Sequence, residues 1–350
     1  MAIGRPAQIG LPFSTVPWLL GVAGLGWTAC RGSMAPKAPS EASDSTAPRV
    51  PVIRFSQNPI IRPEMPGLAG PDGASVNGPS LIAVPPWVSD PLGRYYLYFA
   101  QPRGSSIRLA YADRLEGPWT VHADDPLRLQ QTGFDDYVGS PDLHVDDDGR
   151  RIIMYYHGHR TGMPRSWQAT RVAVSKDGLH FTDRPQDLGV AYFRVFRWRG
   201  EHFALALGGE LYRARSREDP WKETWETGVY PFQYPGAPRG PVFRHGAVQI
   251  DRDTLTVYFS RVGDLPERIL RSTIPLNDDW RSWRASEPVT VLEPSEPYEG
   301  GNLPDHSRGG AAPGRARQLR DPAVFQEGGR TYLLYTVAGE SGIAIAELKD

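Results

Sequence analysis

The chain lacks the usual means of cross-linking itself or holding nucleic acid. Among its 350 residues there is one cysteine, Cys30, so no internal disulfide can form. Its 39 Lys and Arg are balanced by 40 Asp and Glu, and a net charge of −1 leaves no electrostatic footprint for nucleic acid. No long segment keeps the apolar period of a helix. Long hydrophobic runs are scarce too. The one candidate, Leu11 to Trp27, is interrupted by Ser, Thr, Pro and Gly; with Arg5 upstream it reads as a signal peptide rather than a membrane span.

Turn residues and aromatics are abundant: 37 Gly and 34 Pro suit a turn-rich all-β fold, and 40% hydrophobic residues with 10 Trp can fill a large core. Between Asn77 and Asp350 one unit recurs five times: an apolar strand opening on a polar or Pro-containing corner, a second strand ending in aromatics, and a third strand. The corners are Asn77-Gly78-Pro79-Ser80, Ser140-Pro141-Asp142, a weaker Tyr192-Phe193-Arg194, Arg244-His245-Gly246 and Arg320-Asp321-Pro322. Equivalent second-strand residues Tyr98, Tyr155, Leu205, Tyr258 and Leu334 lie 57, 50, 53 and 76 residues apart, spacings that fit propeller blades carrying long loops. Trp119, Trp221 and Trp280 recur after the third strands and read as core.

A β-sandwich offers similar turn spacing. The ends of the chain favour a ring. The fifth copy stops without an outer strand, while Val50 to Phe55 stands unassigned before the first. Pairing the two closes the ring and removes exposed sheet edges. The expectation is an all-β, five-bladed β-propeller over residues 50–350, closed by the N-terminal strand entering the last blade. Residues 1–30 form the signal segment and residues 31–49, rich in Ala, Pro and Ser, a flexible linker. Thr28-Ala29-Cys30 resembles a bacterial lipoprotein signal, with Trp27 where an aliphatic residue is usual, so cleavage near Ala29 without lipid stays open. The expected protein is secreted, periplasmic or at the cell surface, with Cys30 a point of lipid anchoring, and is a monomer.

In a propeller the inner strands converge on the axis, so chemistry is expected where they open. Asp142 heads the second inner strand, with His144 two residues on and on the same face. Asp146 to Gly149 reads as a hairpin turn, not a metal site. His245 stands beside Arg244 and Gly246, and imidazole titrates near neutrality. Asp321 opens the fifth copy. Arg194, Arg244 and Arg320 place planar donors near three openings, suited to hydroxyls or a carboxylate. Further carboxylates lie on loops: Asp136 before the second copy, Glu299 in a Gly-rich insertion, and Glu210 in the third copy. Trp87, Tyr137, Trp167, Tyr192 and Tyr298 are candidate stacking platforms. His157-Gly158-His159-Arg160 lacks the further ligands of a zinc site and reads as a loop offering a substrate contact.

The Ser140-Pro141-Asp142 segment resembles the second-blade signature of the five-bladed glycoside hydrolases related to families 43, 32, 62 and 117, and Arg320-Asp321-Pro322 resembles strand openings common in that group. The resemblance implies glycoside hydrolysis of plant or algal saccharides by paired acid and base, without an obligatory cofactor; a central Ca2+ or other ion remains compatible with it. It implies that Asp142 tunes the catalytic acid and that His245, as in the family 117 relatives, can serve as an acid. Asn77 stands where the family 43 base is expected. The candidate catalytic set is Asp142, His245, Asp321, Asp136 and Glu299, with Asn77, His144, Arg194, Arg244, Arg320 and Tyr298 binding sugar. A glycan-binding surface propeller and, further off, a polysaccharide lyase using His245 with a Tyr are the alternatives.

Overall fold

The structure, a computed structural model, describes residues 50–68, 75–101, 103–164, 166–232 and 243–349. The signal segment, Cys30 and the linker lie outside the described residues. No helix among the described residues is long and apolar enough to cross a membrane.

The strands form five antiparallel sheets, the blades. Their inner strands are Asn77–Ala83, Tyr137–Asp146, Arg194–Trp198, Phe243–Asp251 and Leu319–Glu327. The outer edge of blade one comes in two pieces, Thr120–Val121 and Leu127–Arg128, both pairing with its third strand, Ser106–Ala112. Blade five is completed by Val52–Arg54, which pairs antiparallel with Ile343–Leu348 in the register Val52 to Leu348 and Arg54 to Ala346. The ring therefore closes as the unassigned N-terminal strand implies.

Second strands read as almost unbroken apolar runs because both faces of each blade are covered. In Tyr95–Ala100, Tyr95, Leu97 and Phe99 pack in the core shared with blade five, while Tyr96, Tyr98 and Ala100 pack against blade two. The alternation continues around the ring: Ile152, Met154 and Tyr156 face blade one, and Ile153 and Tyr155 face blade three. Burial of each such side chain stabilises the fold by roughly 1.5–3 kcal/mol. Trp119 and Trp280 are buried as expected, but in blade three the buried ring is Trp225; Trp221 is only partly covered and donates its indole N–H to the Tyr155 hydroxyl at 3.1 Å.

The corners that open the inner strands are β-bulges. Register shifts fall between Asn77 and Ser80, Gly139 and Asp142, Phe243 and Gly246, and Arg320 and Ala323. In three of them a left-handed residue, Gly78 (φ 59°), Ser140 (φ 46°) or Asp321 (φ 45°), is followed by Pro. Proline has no N–H and fits where the ladder is interrupted. The bulge tips crowd the axis: a Cβ on Gly78 would lie 3.0 Å from the Ser140 Cα. Blade three has no such bulge; Tyr192, two residues before its inner strand, takes the left-handed conformation instead (φ 68°).

Candidate active site

A cavity of about 270 Å³ lies at the axis where the inner strands open. Its wall takes Asn77 from blade one, Gly139 and Ser140 from blade two, Tyr192 before blade three, and Phe243, Arg244 and His245 from blade four. Loops joining second to third strands open on the same face and add Gln101, Arg103, Leu207, Val262 and Glu340.

His245 sits on the blade-four bulge with its Nδ1 against Asp321 Oδ1 of the blade-five bulge. Burial would raise the Asp321 pKa, but His245 and the guanidinium groups of Arg320 and Arg244 hold the carboxylate well below its usual range. Burial pushes His245 down, outweighing the attraction of Asp321. The ring is thus neutral, with Nδ1–H directed at an ionised Asp321 and Nε2 left as a base. Strained left-handed backbone at Asp321 and Tyr192 marks the same spot.

Two buried arginines support this pair. Arg244 Nη2 donates to Glu267 Oε1 (2.9 Å), and Arg320 Nε donates to Glu267 Oε2 (3.1 Å). Arg320 Nη1 reaches Glu340 Oε1 (3.3 Å) and the Gly310 carbonyl (3.2 Å), so the arginines also pin the long loop before blade five over the axis. Glu340 Oε2 accepts the Ala312 amide at 3.1 Å. Burial, then the nearby charge of Asp321, pushes the Glu340 carboxyl up to about 7. A carboxyl that keeps its proton to neutrality can act as a general acid.

Blade two supplies the opposite wall. His157 and His159, two apart on the strand Arg151–His159, both reach the cavity, so His157-Gly158-His159 belongs to a strand and not to a loop. Gly158 faces the other way, where a Cβ would lie 2.3 Å from the Phe134 ring. His159 Nδ1 donates to Asp136 Oδ2 at 2.9 Å and the ring stacks on Tyr137 at 5.9 Å. The Tyr192 ring lies 4.2 Å from the His157 ring and 4.5 Å from that of His245.

The structure brings together Asn77, Asp136, Arg244, His245 and, behind His245, Asp321. The other expected site residues are engaged elsewhere. Asp142 does not line the cavity: its Oδ2 accepts the Val195 amide at 2.9 Å and meets His144 Nε2 at 2.8 Å, tying blade two to blade three. The bulge register explains this. Asp321 precedes its Pro and is the bulge tip, whereas Asp142 follows Pro141 and lies deeper along the strand, equivalent to Ser80 and Ala323. His144 is committed to Asp142. Arg194 is buried on the Ser140, Pro141 and Gly246 carbonyls, and Arg320 is fully buried beneath the cavity wall. Glu299 is wholly buried with Arg54 and Tyr335, and Tyr298 packs in the core between blades four and five near Asn58. Trp87 bonds Asp147 at the opposite end of the blades. Glu210 accepts hydrogen bonds from Tyr212, Thr227 and Tyr230 within blade three.

Glu340, Gln168 and Glu267 are not legible as site residues in the sequence, and His157 and His159 are legible only as a loop contact and not as strand residues of the cavity wall. Of the three illegible residues, Glu340 carries a sequence signal, a carboxylate between Gly339 and Gly342 in a strand connection on the cavity face. Among the described residues, no three His, Cys, Asp or Glu side chains cluster as a metal site.

The fold is that of the five-bladed, family 43-like propellers. Solved structures with this fold include an α-L-arabinofuranosidase from Lactobacillus brevis (TM-score 0.57, 13% identity, covering 83% of this chain and 92% of that one). A GH43_1 enzyme from Xanthomonas citri (0.54, 13%, 79% and 88%) and an exo-1,5-α-L-arabinanase from a bovine ruminal metagenomic library (0.52, 10%, 79% and 93%) share it. No family model matches the sequence. The chain belongs to the same family as Uncharacterized protein R118 of Acanthamoeba polyphaga mimivirus, with 34% identity over 321 residues, 85% of this chain and 90% of that protein.

Proposed function

We propose that the protein is a glycoside hydrolase that removes sugar units from oligosaccharides of plant or algal type in its axial cavity. One observation carries this reading: Glu340, a buried carboxyl protonated to about pH 7, shares the cavity with His245, a neutral imidazole facing an ionised Asp321. Glycosidic cleavage needs a proton for the leaving oxygen and a base or nucleophile for the anomeric carbon. Glu340 supplies the first. His245 Nε2, its tautomer set by Asp321, activates water for the second, as orienting carboxylates do for catalytic imidazoles elsewhere. Asp136, which lines the cavity with its side chain 43% exposed, binds a sugar hydroxyl. A cavity of about 270 Å³ is at the small end of ligand sites and suits one or two sugar rings at a chain end. Arabinanase and arabinofuranosidase among the fold neighbours support the plant-type substrate. Secretion through the leader, with lipid on Cys30, belongs to the same proposal; Cys30→Ala should move the protein from the membrane to the soluble fraction of a bacterial host.

A glycan-binding propeller without catalysis is the competing reading, favoured by Asn77 in place of the family 43 base. Turnover of aryl glycosides and oligosaccharides by the parent, Glu340→Gln and His245→Ala decides between them. Each substitution should lower turnover by about 10²-fold or more. Because Glu340 loses its proton as pH rises through about 7, kcat/KM of the parent should fall above that pH, and the fall should be absent in Glu340→Gln. Sugar binding without hydrolysis of any substrate would establish the receptor; unchanged turnover in both variants would remove the assigned acid and base.

A further inference from the structure

Two acceptor atoms on the blade-two wall have no partner among the described residues: His157 Nδ1 and Gln168 Oε1, both shut away from bulk solvent and both on residues lining the cavity. They sit at the cavity ends of neighbouring strands, since Gly158 pairs with Ala169. Buried polar atoms are rarely left unpaired, and a ligand is one reason for an exception.

The chemistry of the partner follows from the atoms. Burial, with His245 and Arg194 nearby, pushes His157 down to about 3. Its ring is therefore neutral, and with the Gly139 backbone beside one nitrogen the other remains an acceptor. A carboxylate or sulfate would bring lone pairs to lone pairs, and Asp136 adds negative charge on the same wall. A hydroxyl can donate to such acceptors while its own oxygen accepts from elsewhere.

The geometry points to the blade-two wall as a subsite for a neutral sugar, whose hydroxyl protons are taken by His157 Nδ1 and Gln168 Oε1, and which turns away uronates. This deepens the glycan reading of the cavity and is independent of whether the bond is cleaved. A uronate would instead engage Arg103, a rim guanidinium with no hydrogen bond or ion pair among the described residues.

Histidine-selective 15N NMR of the full chain, titrated separately with D-xylose, L-arabinose, D-galactose and D-galacturonate, tests this. At least one neutral sugar should move the His157 Nδ1 resonance upfield, and D-galacturonate should not. Gln168→Met, which removes an acceptor with little change of shape, should weaken that neutral sugar by about 10-fold or more, the effect of one lost hydrogen bond to a buried partner. The inference is overturned if none of the four sugars binds, if a bound neutral sugar leaves His157 unmoved, or if D-galacturonate binds as tightly and is lost in Arg103→Gln. Failure of hydrolysis with the His157 shift intact removes only the hydrolase reading. Cleavage that Gln168→Met leaves unchanged in KM removes only the subsite.

Discussion

Replacing Glu299 with Leu should cost the protein its stability and not its chemistry. The carboxylate is wholly buried. It accepts from Arg54 Nε at 2.8 Å and Nη2 at 3.1 Å, from the Tyr335 hydroxyl at 2.9 Å, and from the Ser295 and Glu296 amides at 2.9 and 3.2 Å. Arg54 ends the strand that closes the ring, so this one side chain couples the closing strand, the long loop and the second strand of blade five. Removing one partner of a buried ion pair typically costs about 3–5 kcal/mol. The Arg54 side chain is 24% exposed and can recover some solvation, which places the cost near the low end, about 3 kcal/mol. For a domain of this size that corresponds to a fall in Tm of roughly 6–10 °C. Thermal melts by circular dichroism, with turnover measured at 20 °C on a substrate the parent cleaves, separate the two effects. Arg54→Ala should show a similar loss, and the double variant should be less destabilised than the sum. A Tm within about 2 °C of the parent, well under the shift expected for a lost buried pair, refutes the structural role. Lost turnover in a variant still folded at 20 °C returns Glu299 to the catalytic set.

Asp142→Asn keeps an acceptor for the Val195 amide and should cost only about 1 kcal/mol, with turnover within a few-fold of the parent; a hundred-fold loss would mean that Asp142 reaches substrate. Asp321→Asn should lower turnover by about 10³-fold or more by freeing the His245 tautomer, and combining it with His245→Ala should add little; independent, multiplying effects would break the pair. Deleting residues 50–56 strips the outer strand of blade five and the Arg54 contact, and should lower Tm and raise light scattering through the exposed edge. An unchanged melt would rule out a stabilising role for the closure.

The blades were legible because their determinants are local. Tyr95–Ala100, Ile152–Tyr156 and Tyr332–Tyr335 carry aromatic and branched residues on both faces, as a strand covered on both sides must. The Gly78-Pro79, Ser140-Pro141 and Asp321-Pro322 corners announce the interruption that opens three of the five inner strands. His144 was correctly placed on the face of Asp142 by the two-residue period, and the two side chains do meet at 2.8 Å. Depth along the axis is not legible in the same way. A carboxylate before the Pro is the bulge tip and one after it lies further down the channel, a distinction present in the sequence but meaningful only once the bulge register is known. Glu299, Arg194 and Arg320 illustrate a related limit: a charged residue near a strand opening reads as functional, whereas its buried partner, visible only in the fold, makes it structural.

Five three-strand units, their turns and the spare strand that closes the ring are written in local patterns, since side-chain alternation and turn chemistry act over a few residues. Which polar groups meet follows from folding alone. Glu340 and His245 line one cavity, with Asp321 behind His245, because ring closure brings distant strand ends of two blades to one axis. Their proton affinities arise there as well: burial raises the carboxyl of Glu340 and neutralises His245, while neighbouring cations keep Asp321 ionised, and none of these fields exists until the chain has folded around them.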